Sequence, residues 1–204
     1  LNYWKKLNIQ WDNYTTTMTE IHKEVSQEMF LKIKKNGFIE KNISIQAYDP
    51  KENKFLPDRY VEGECPKCNY LEARGDQCDS CGITLDPEEL INPRSKLSGN
   101  NAEFKETEHY FLKLSELNDK LSNWLNSKNG WRPHVINFSK SFVEEGLQDR
   151  AITRDLDWGI DIPENEIGEG KKIYVWFEAV IGYLSASKEW AVNNGTPEAW
   201  KDFW

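Results

Sequence analysis

Four cysteines crowded between positions 65 and 81 constrain this chain more than any other feature. They read Cys65-Pro66-Lys67-Cys68, nine intervening residues, then Cys78-Asp79-Ser80-Cys81-Gly82. A Cys-x2-Cys turn aims two thiolates at one centre, and two such turns facing each other form a tetrahedral S4 site for Zn2+. Gly75 and Gly82 supply the backbone freedom such turns need. Zinc ribbons often carry a longer insert, so the short one fits a compact knuckle. Two disulfides are the first alternative; they need an oxidising compartment, and no signal-peptide pattern marks the chain as secreted. A redox Cys-x-x-Cys is the second, disfavoured by two pairs side by side. An iron centre of the same S4 geometry is the third. Four sulfurs close the metal's shell, so the site is expected to be structural, without Lewis-acid chemistry.

Composition narrows the class. The 204 residues hold 26 Lys+Arg against 34 Asp+Glu, a formal net charge of -8. Such a chain is a poor general coat for nucleic acid, although a local basic patch can still contact RNA. Nine Trp, nine Phe and eight Tyr supply a core that a disordered chain would lack. No apolar run is long enough for a membrane-spanning helix. The chain starts at Leu1 without an initiator Met and ends on Trp204, and it is expected to be a piece of something longer.

The hydrophobic periods change along the chain. Leu1 to Ile9 reads as the tail of a helix, and Gln10 to Met18 as a Thr-rich loop. Thr17-Met18-Thr19-Glu20 has a capping-box pattern, followed by Ile21, Val25, Met29 and Ile33 on a helix over 19–36 that Gly37 stops. Short strand pieces are expected between Phe38 and Tyr60, and a strand within Phe104 to Leu114. Leu117, Leu121, Trp124 and Leu125 define a helix ending near Gly130. Val135, Phe138 and Phe142 define another ending at Gly146. Ala151-Ile152-Thr153 reads as a strand, Gly168 to Lys172 as a turn, and Ile173-Tyr174-Val175-Trp176 as a buried strand. That strand runs straight into a helix from Glu178 to Asn193, an α/β signature.

Several stretches together carry a resemblance. Phe55-Leu56-Pro57-Asp58-Arg59-Tyr60-Val61-Glu62-Gly63, the cysteine turns with Gly75-Asp76-Gln77, and Glu89-Leu90-Ile91-Asn92-Pro93-Arg94-Ser95 resemble the zinc-bearing connective peptide of methionyl-tRNA synthetases. Ile152-Thr153-Arg154-Asp155-Leu156 with Trp158-Gly159 looks like the return into the catalytic domain of that family. Tyr174-Val175-Trp176-Phe177-Glu178-Ala179-Val180-Ile181-Gly182-Tyr183 resembles its methionine-pocket helix. The resemblance implies an α/β fold: a zinc-knuckle connective domain inserted in a partial class I, Rossmann-type catalytic domain. Residues 1–20 would end the first catalytic half. Residues 21–150 would be the connective peptide, with the knuckle at 55–95, and 151–204 would begin the second half.

For the longer protein the resemblance implies ATP-dependent activation of methionine and its transfer to tRNA, in the cytoplasm. Zn2+ is the structural metal expected here, whereas ATP and Mg2+ belong to the full-length protein. Methionine and the tRNA acceptor end are the expected partners; membrane and DNA are not. The His-Ile-Gly-His and Lys-Met-Ser-Lys-Ser motifs that bind ATP are absent, and His22, His109 and His134 lie in no such motif. Arg94-Ser95-Lys96-Leu97-Ser98 only echoes the second motif, beside the knuckle. No catalytic residue is therefore assigned within these 204 residues.

Trp176, Ala179, Val180 and Tyr183 follow the i, i+3, i+4, i+7 spacing of one helix face. Spacing alone fits a core stripe; the resemblance assigns these residues to the methionine pocket, where aromatic walls suit a thioether. Val180 departs from the Pro of some relatives. Arg154 is a candidate for orienting substrate, with a surface salt bridge as its alternative. Glu178 reads as an acid in the first turn of a helix, with a site carboxylate as its alternative, and His109 as a packed histidine. Lys32, Lys34 and Lys35 read as a solvated face. The rival function is a stand-alone zinc-knuckle module that binds RNA or protein without catalysis. It would use Lys67, Tyr70 and Arg74, which Glu62, Glu64, Glu72, Asp76 and Asp79 oppose.

Overall fold

The computed structural model describes residues 2–163, 167 and 169–204. A short helix α1 (Asn2–Lys6) and a loop lead to helix α2 (Glu20–Lys35). Leu1, counted with the first helix, and Gly168, counted with the turn before Lys172, lie outside the described residues. Thr19, two residues after the expected cap, accepts the backbone N–H of His22 at 3.3 Å, and Gly37 stops the helix at a φ of 82°. The buried side chains of α2 are His22, Val25, Ser26 and Phe30, with Ile21, Met29 and Ile33 at their flank. Two polar residues thus take core positions, which turns the inward face away from the purely apolar stripe.

Where short strand pieces were expected, one strand of 11 residues forms, β1 (Ile39–Asp49). It pairs antiparallel along its length with β6 (Glu103–Leu112), from Ile39 opposite Leu112 to Tyr48 opposite Glu103. The strands β2 (Lys54–Phe55) and β7 (Arg150–Ala151) complete a sheet of order β2-β1-β6-β7. Ile43 and Ile45 do alternate with polar residues, but they face solvent. A second sheet, ordered β4 (Ala73–Arg74), β3 (Val61–Glu64), β5 (Ile91–Ser95), carries the cysteine turns. Its core holds Ala47, Leu56, Val61, Cys65, Ala73, Cys78, Leu85 and Leu90. Gly75 is obligatory there, because a Cβ would sit 2.5 Å from the Asp58 carbonyl oxygen.

Helices α3 (Asn118–Asn126) and α4 (Pro133–Glu144) pack together over Leu125, Val143 and Leu147. The residues that predicted α4, Val135, Phe138 and Phe142, are exposed; the helix forms with its other side inward. Strands β8 (Thr153–Asp155) and β9 (Lys171–Ile173) form an antiparallel ribbon. Every strand pairing among the described residues is antiparallel, so the α/β character is that of a mixed fold. The strand expected at 173–176 ends at Ile173, and Trp176 is already helical in α5 (Val175–Glu178). A 3-10 turn, Ala179–Ile181, then separates α5 from α6 (Gly182–Asn193).

The largest core joins these last elements to α2. It contains Val25, Phe30, Ile39, Tyr110, Ile152, Ile173, Phe177 and Ile181. The ring of Phe30 meets Tyr110 edge-on at 5.2 Å and Phe177 at 6.4 Å. Helix α2, which the sequence assigns to the inserted segment, therefore shares its core with residues 151–204.

Candidate metal centre and adjoining groove

The two cysteine turns repeat one backbone pattern. Cys65 N–H donates to the Tyr70 carbonyl at 2.8 Å, and Cys78 N–H to that of Ile83 at 2.9 Å. Asn69 N–H returns to the Cys65 carbonyl and Gly82 N–H to that of Cys78, both at 2.9 Å. Each turn closes on a left-handed residue, Asn69 at φ 59° and Gly82 at φ 73°. Asn and Gly are the residues that adopt this conformation most readily. The first cysteine of each turn is buried and the second exposed.

This arrangement brings all four Sγ atoms within 4.8 Å of one another. Cys65 Sγ lies 3.9 Å from Cys81 Sγ, and Cys68 Sγ 3.6 Å from Cys78 Sγ. Zn–S bonds of about 2.3 Å in a tetrahedron place sulfurs about 3.8 Å apart. A disulfide needs about 2.05 Å, and all four thiols are free. The residues present therefore fit Zn2+. Burial opposes ionisation of Cys65, but the backbone amides of Cys68 and Lys67 together with the Cys68 and Cys78 thiols outweigh it and bring that thiol down to about 7. Cys68 is driven up to about 11: the Tyr70 amide favours its thiolate, whereas burial and the three other thiols oppose it. Metal loading must displace the remaining protons, so it weakens as pH falls.

Ion pairs brace the knuckle. Arg59 Nε lies 2.6 Å from Asp76 Oδ2 and Arg74 Nε 3.1 Å from Asp79 Oδ2. Of the residues an RNA-binding knuckle would present, Arg74 is thus paired and Tyr70 packs against the core, while Lys67 is exposed.

Beside the knuckle lies a groove of about 510 Å³. Its walls are the Asp58–Tyr60 turn, the Thr17–Thr19 loop with Glu20 and Lys23 at the start of α2, the β8–β9 region with Trp158 and Tyr174, and Trp176 of α5. Trp158 and Trp176 expose 69% and 67% of their surface, so aromatic faces are open to a ligand. Of the four residues assigned to a methionine pocket, Trp176 is on the groove wall. Val180 and Tyr183 are exposed farther along the same helical run and Ala179 is half-buried; none of these three lines this groove. The core-facing residues of the run are Phe177 and Ile181, so the four are not a core stripe.

Arg154 lies behind the groove wall, where it is 17% exposed. Its guanidinium stacks on the Tyr174 ring at 4.1 Å, and its Nη1 donates to the Ala151 and Thr153 carbonyls at 3.1 and 3.0 Å. Its Nη2 is 3.7 Å from Asp58 Oδ2, to which the Tyr174 hydroxyl also donates, at 3.1 Å. Burial, followed by the Asp58 charge, pushes the Tyr174 phenol up to about 12, so it stays a donor. This cluster ties the knuckle to the corner from which α5 departs.

Two buried histidines complete the surroundings. His109 is fully enclosed, with Nδ1 2.9 Å from Thr153 Oγ1 and Nε2 3.1 Å from Asp155 Oδ2 but off a hydrogen-bonding angle. His22, which the sequence left without a role, is also enclosed; its Nε2 lies 2.6 Å from Glu178 Oε2. Glu178 is therefore more than an exposed acid in a first helical turn. No periodicity signals this pair, because the partners are 156 residues apart.

The family profile described as class I tRNA synthetases (M) matches residues 1–204. Among curated proteins, the methionine–tRNA ligase of Dehalococcoides mccartyi strain BAV1 is 56% identical over 201 residues, 98% of this chain and 36% of that protein. The methionine–tRNA ligase of Thermoplasma acidophilum is 47% identical over 204 residues, all of this chain and 37% of that protein. A crystal structure of Mycobacterium tuberculosis methionyl-tRNA synthetase bound by methionyl-adenylate superposes with a TM-score of 0.58. It is 23% identical and covers 91% of this chain and 32% of that one, a likeness of fold. The chain spans about a third of the length of the relatives it matches. Matched along its whole length, and with its four thiols gathered as a zinc knuckle requires, the chain belongs to the class I (M) tRNA synthetases.

Proposed function

We propose that this chain is the zinc-bearing connective part and one wall of the methionine pocket of a cytoplasmic methionine–tRNA ligase. The full-length protein activates methionine with ATP and Mg2+ and transfers it to the acceptor end of its tRNA. Cys65, Cys68, Cys78 and Cys81 hold one structural Zn2+. Trp176, Ala179, Val180 and Tyr183 contact the methionine side chain, and Arg154 orients the substrate from behind the wall. Among the described residues no helix is long and apolar enough to cross a membrane, which agrees with this reading.

The observation that carries it is the open indole of Trp176 at the rim of the groove, beside a knuckle tied to the same corner by Asp58. A core stripe would be covered; Trp176, Val180 and Tyr183 are not. Methionine offers no strong hydrogen bond, so selection must come from shape and from sulfur–aromatic contact, about 0.3–1.5 kcal/mol per contact. In the full-length ligase, Trp176→Ala should raise the methionine KM at least tenfold and leave the ATP KM nearly unchanged. Tyr183→Phe should have a smaller effect, seen as weaker preference for methionine over norleucine. Parallel losses for both substrates with a lowered Tm would remove Trp176 from the pocket.

A further inference from the structure

The helical run that bears the proposed methionine contacts is broken. Helix α5 ends at Glu178, Ala179–Ile181 is a 3-10 turn, and α6 starts at Gly182. Trp176 therefore sits before the break, Ala179 and Val180 in it, and Tyr183 after it. A short 3-10 stretch inside a helix is a point of weaker hydrogen bonding, so something must fix the angle between its two flanks.

His22 sits across that break. Its imidazole is fully enclosed, and its two nitrogens reach opposite flanks. Nε2 is 2.6 Å from Glu178 Oε2, at the end of α5, and Nδ1 is 2.8 Å from Ser185 Oγ, in α6. The Ser185 hydroxyl also donates to the Gly182 carbonyl at 3.1 Å, so the contact reaches the first residue of α6. Ser26 Oγ, one turn farther along α2, stands 3.4 Å from Nε2. On the other side of this contact Glu178 reaches the groove wall, with its side chain only 13% exposed.

We propose that His22 is a positioning residue that clamps Glu178 and Ser185 and so fixes against each other the two flanks of the 3-10 turn that display the methionine-contacting side chains. His22 itself touches no substrate. The proposal rests on the pocket reading above. An imidazole is suited to the task because it offers two ring nitrogens on a rigid frame, aimed apart, where a flexible side chain would not hold both flanks. Displacing a positioned group by about 1 Å costs on the order of a hundredfold in rate, and the side chains displaced here are those proposed to hold the methionine side chain. Loss of the clamp should therefore read out as methionine affinity before it reads out as ATP affinity.

The test uses the full-length ligase with His22→Gln, Glu178→Gln and Ser185→Ala, and Trp176→Ala alongside. His22→Gln keeps polarity and removes one arm, while Ser185→Ala cuts the α6 arm alone, so the series survives if one variant fails to fold. Three quantities are read: methionine KM, ATP KM, and hydrogen exchange of the amides at 179–185. The expected result is faster exchange confined to 179–185, a roughly tenfold or greater rise in methionine KM, and an ATP KM within about twofold. If Trp176→Ala raises methionine KM but no clamp variant does, the clamp is overturned and the pocket reading stands. If Trp176→Ala leaves methionine KM unchanged, the pocket reading falls and the clamp's role falls with it. Exchange that is unchanged at 179–185 in all three variants overturns the clamp directly.

Discussion

Asp155→Asn removes the carboxylate toward which Lys171, Thr107 and His109 all turn. Lys171 Nζ donates to Oδ1 at 2.8 Å, Thr107 Oγ1 donates to Oδ2 at 2.9 Å, and His109 Nε2 stands 3.1 Å from Oδ2. Burial disfavours the Asp155 charge, but these three partners outweigh it and hold the carboxyl at about 2, against an ordinary 3.8. Asp155 and Lys171 expose 16% and 7% of their side chains, so water screens the pair little. One pKa unit is about 1.4 kcal/mol, which makes the ionised carboxylate worth about 2 kcal/mol to the fold. The folded value is depressed, so this stability is present above about pH 4 and is lost as pH falls toward 2. By pH 3 about 1 kcal/mol of it should be gone. His109 adds a loss of the same sign: burial lowers its value from 6.5, so acidification below about pH 6.5 favours the unfolded chain. The assay is urea unfolding of the parent sequence and of Asp155→Asn at pH 7 and pH 3. Asparagine should cost about 2–3 kcal/mol at pH 7 and about half that at pH 3. A pH 7 cost no larger than that of an ordinary surface substitution, about 0.5 kcal/mol, or one that does not narrow at pH 3, would refute the reasoning.

The purified protein should carry one zinc per chain, and Cys78→Ser should lose it and loosen the knuckle while α3 and α4 keep their amide protection; elemental analysis and hydrogen exchange check both. Gly75→Ala should destabilise the knuckle by about 1–3 kcal/mol, because its Cβ would meet the Asp58 carbonyl oxygen at 2.5 Å; chelator-driven zinc release should then quicken. These 204 residues expressed alone should show no methionine-dependent ATP–pyrophosphate exchange, since neither ATP motif is among them; exchange above blank would contradict that.

The cysteine site was readable because its ligands are local: two short turns, each closed by a residue at ease with positive φ, bring the thiols together between Cys65 and Cys81. Helices α2, α3 and α4 were readable as helices from their periods. Their inward faces were less so. Polar His22 occupies a core position on α2 because Glu178 of α5 and Ser185 of α6 satisfy it, and Ser26 because His22 does in turn; hydropathy cannot see a distant partner. In α4 the apolar residues Val135, Phe138 and Phe142 that mark the helix face outward, so apolar spacing found the helix without showing its buried side. Strand β1 looked fragmented because its Ile43 and Ile45 side is exposed, and it is held by pairing with β6, a strand that returns only after the whole knuckle has intervened. The Arg154–Tyr174–Asp58 cluster joins residues 116 apart in its hydroxyl–carboxylate bond, which no local pattern encodes.

The central claim is that the run from Trp176 to Tyr183 forms a wall against which methionine binds. A crystal structure of the full-length protein with methionine tests it most directly. The account predicts the thioether sulfur about 5 Å from the Trp176 ring, with the Glu178–His22 contact intact behind it. Methionine bound elsewhere, with Trp176 packed away from it, would contradict the account.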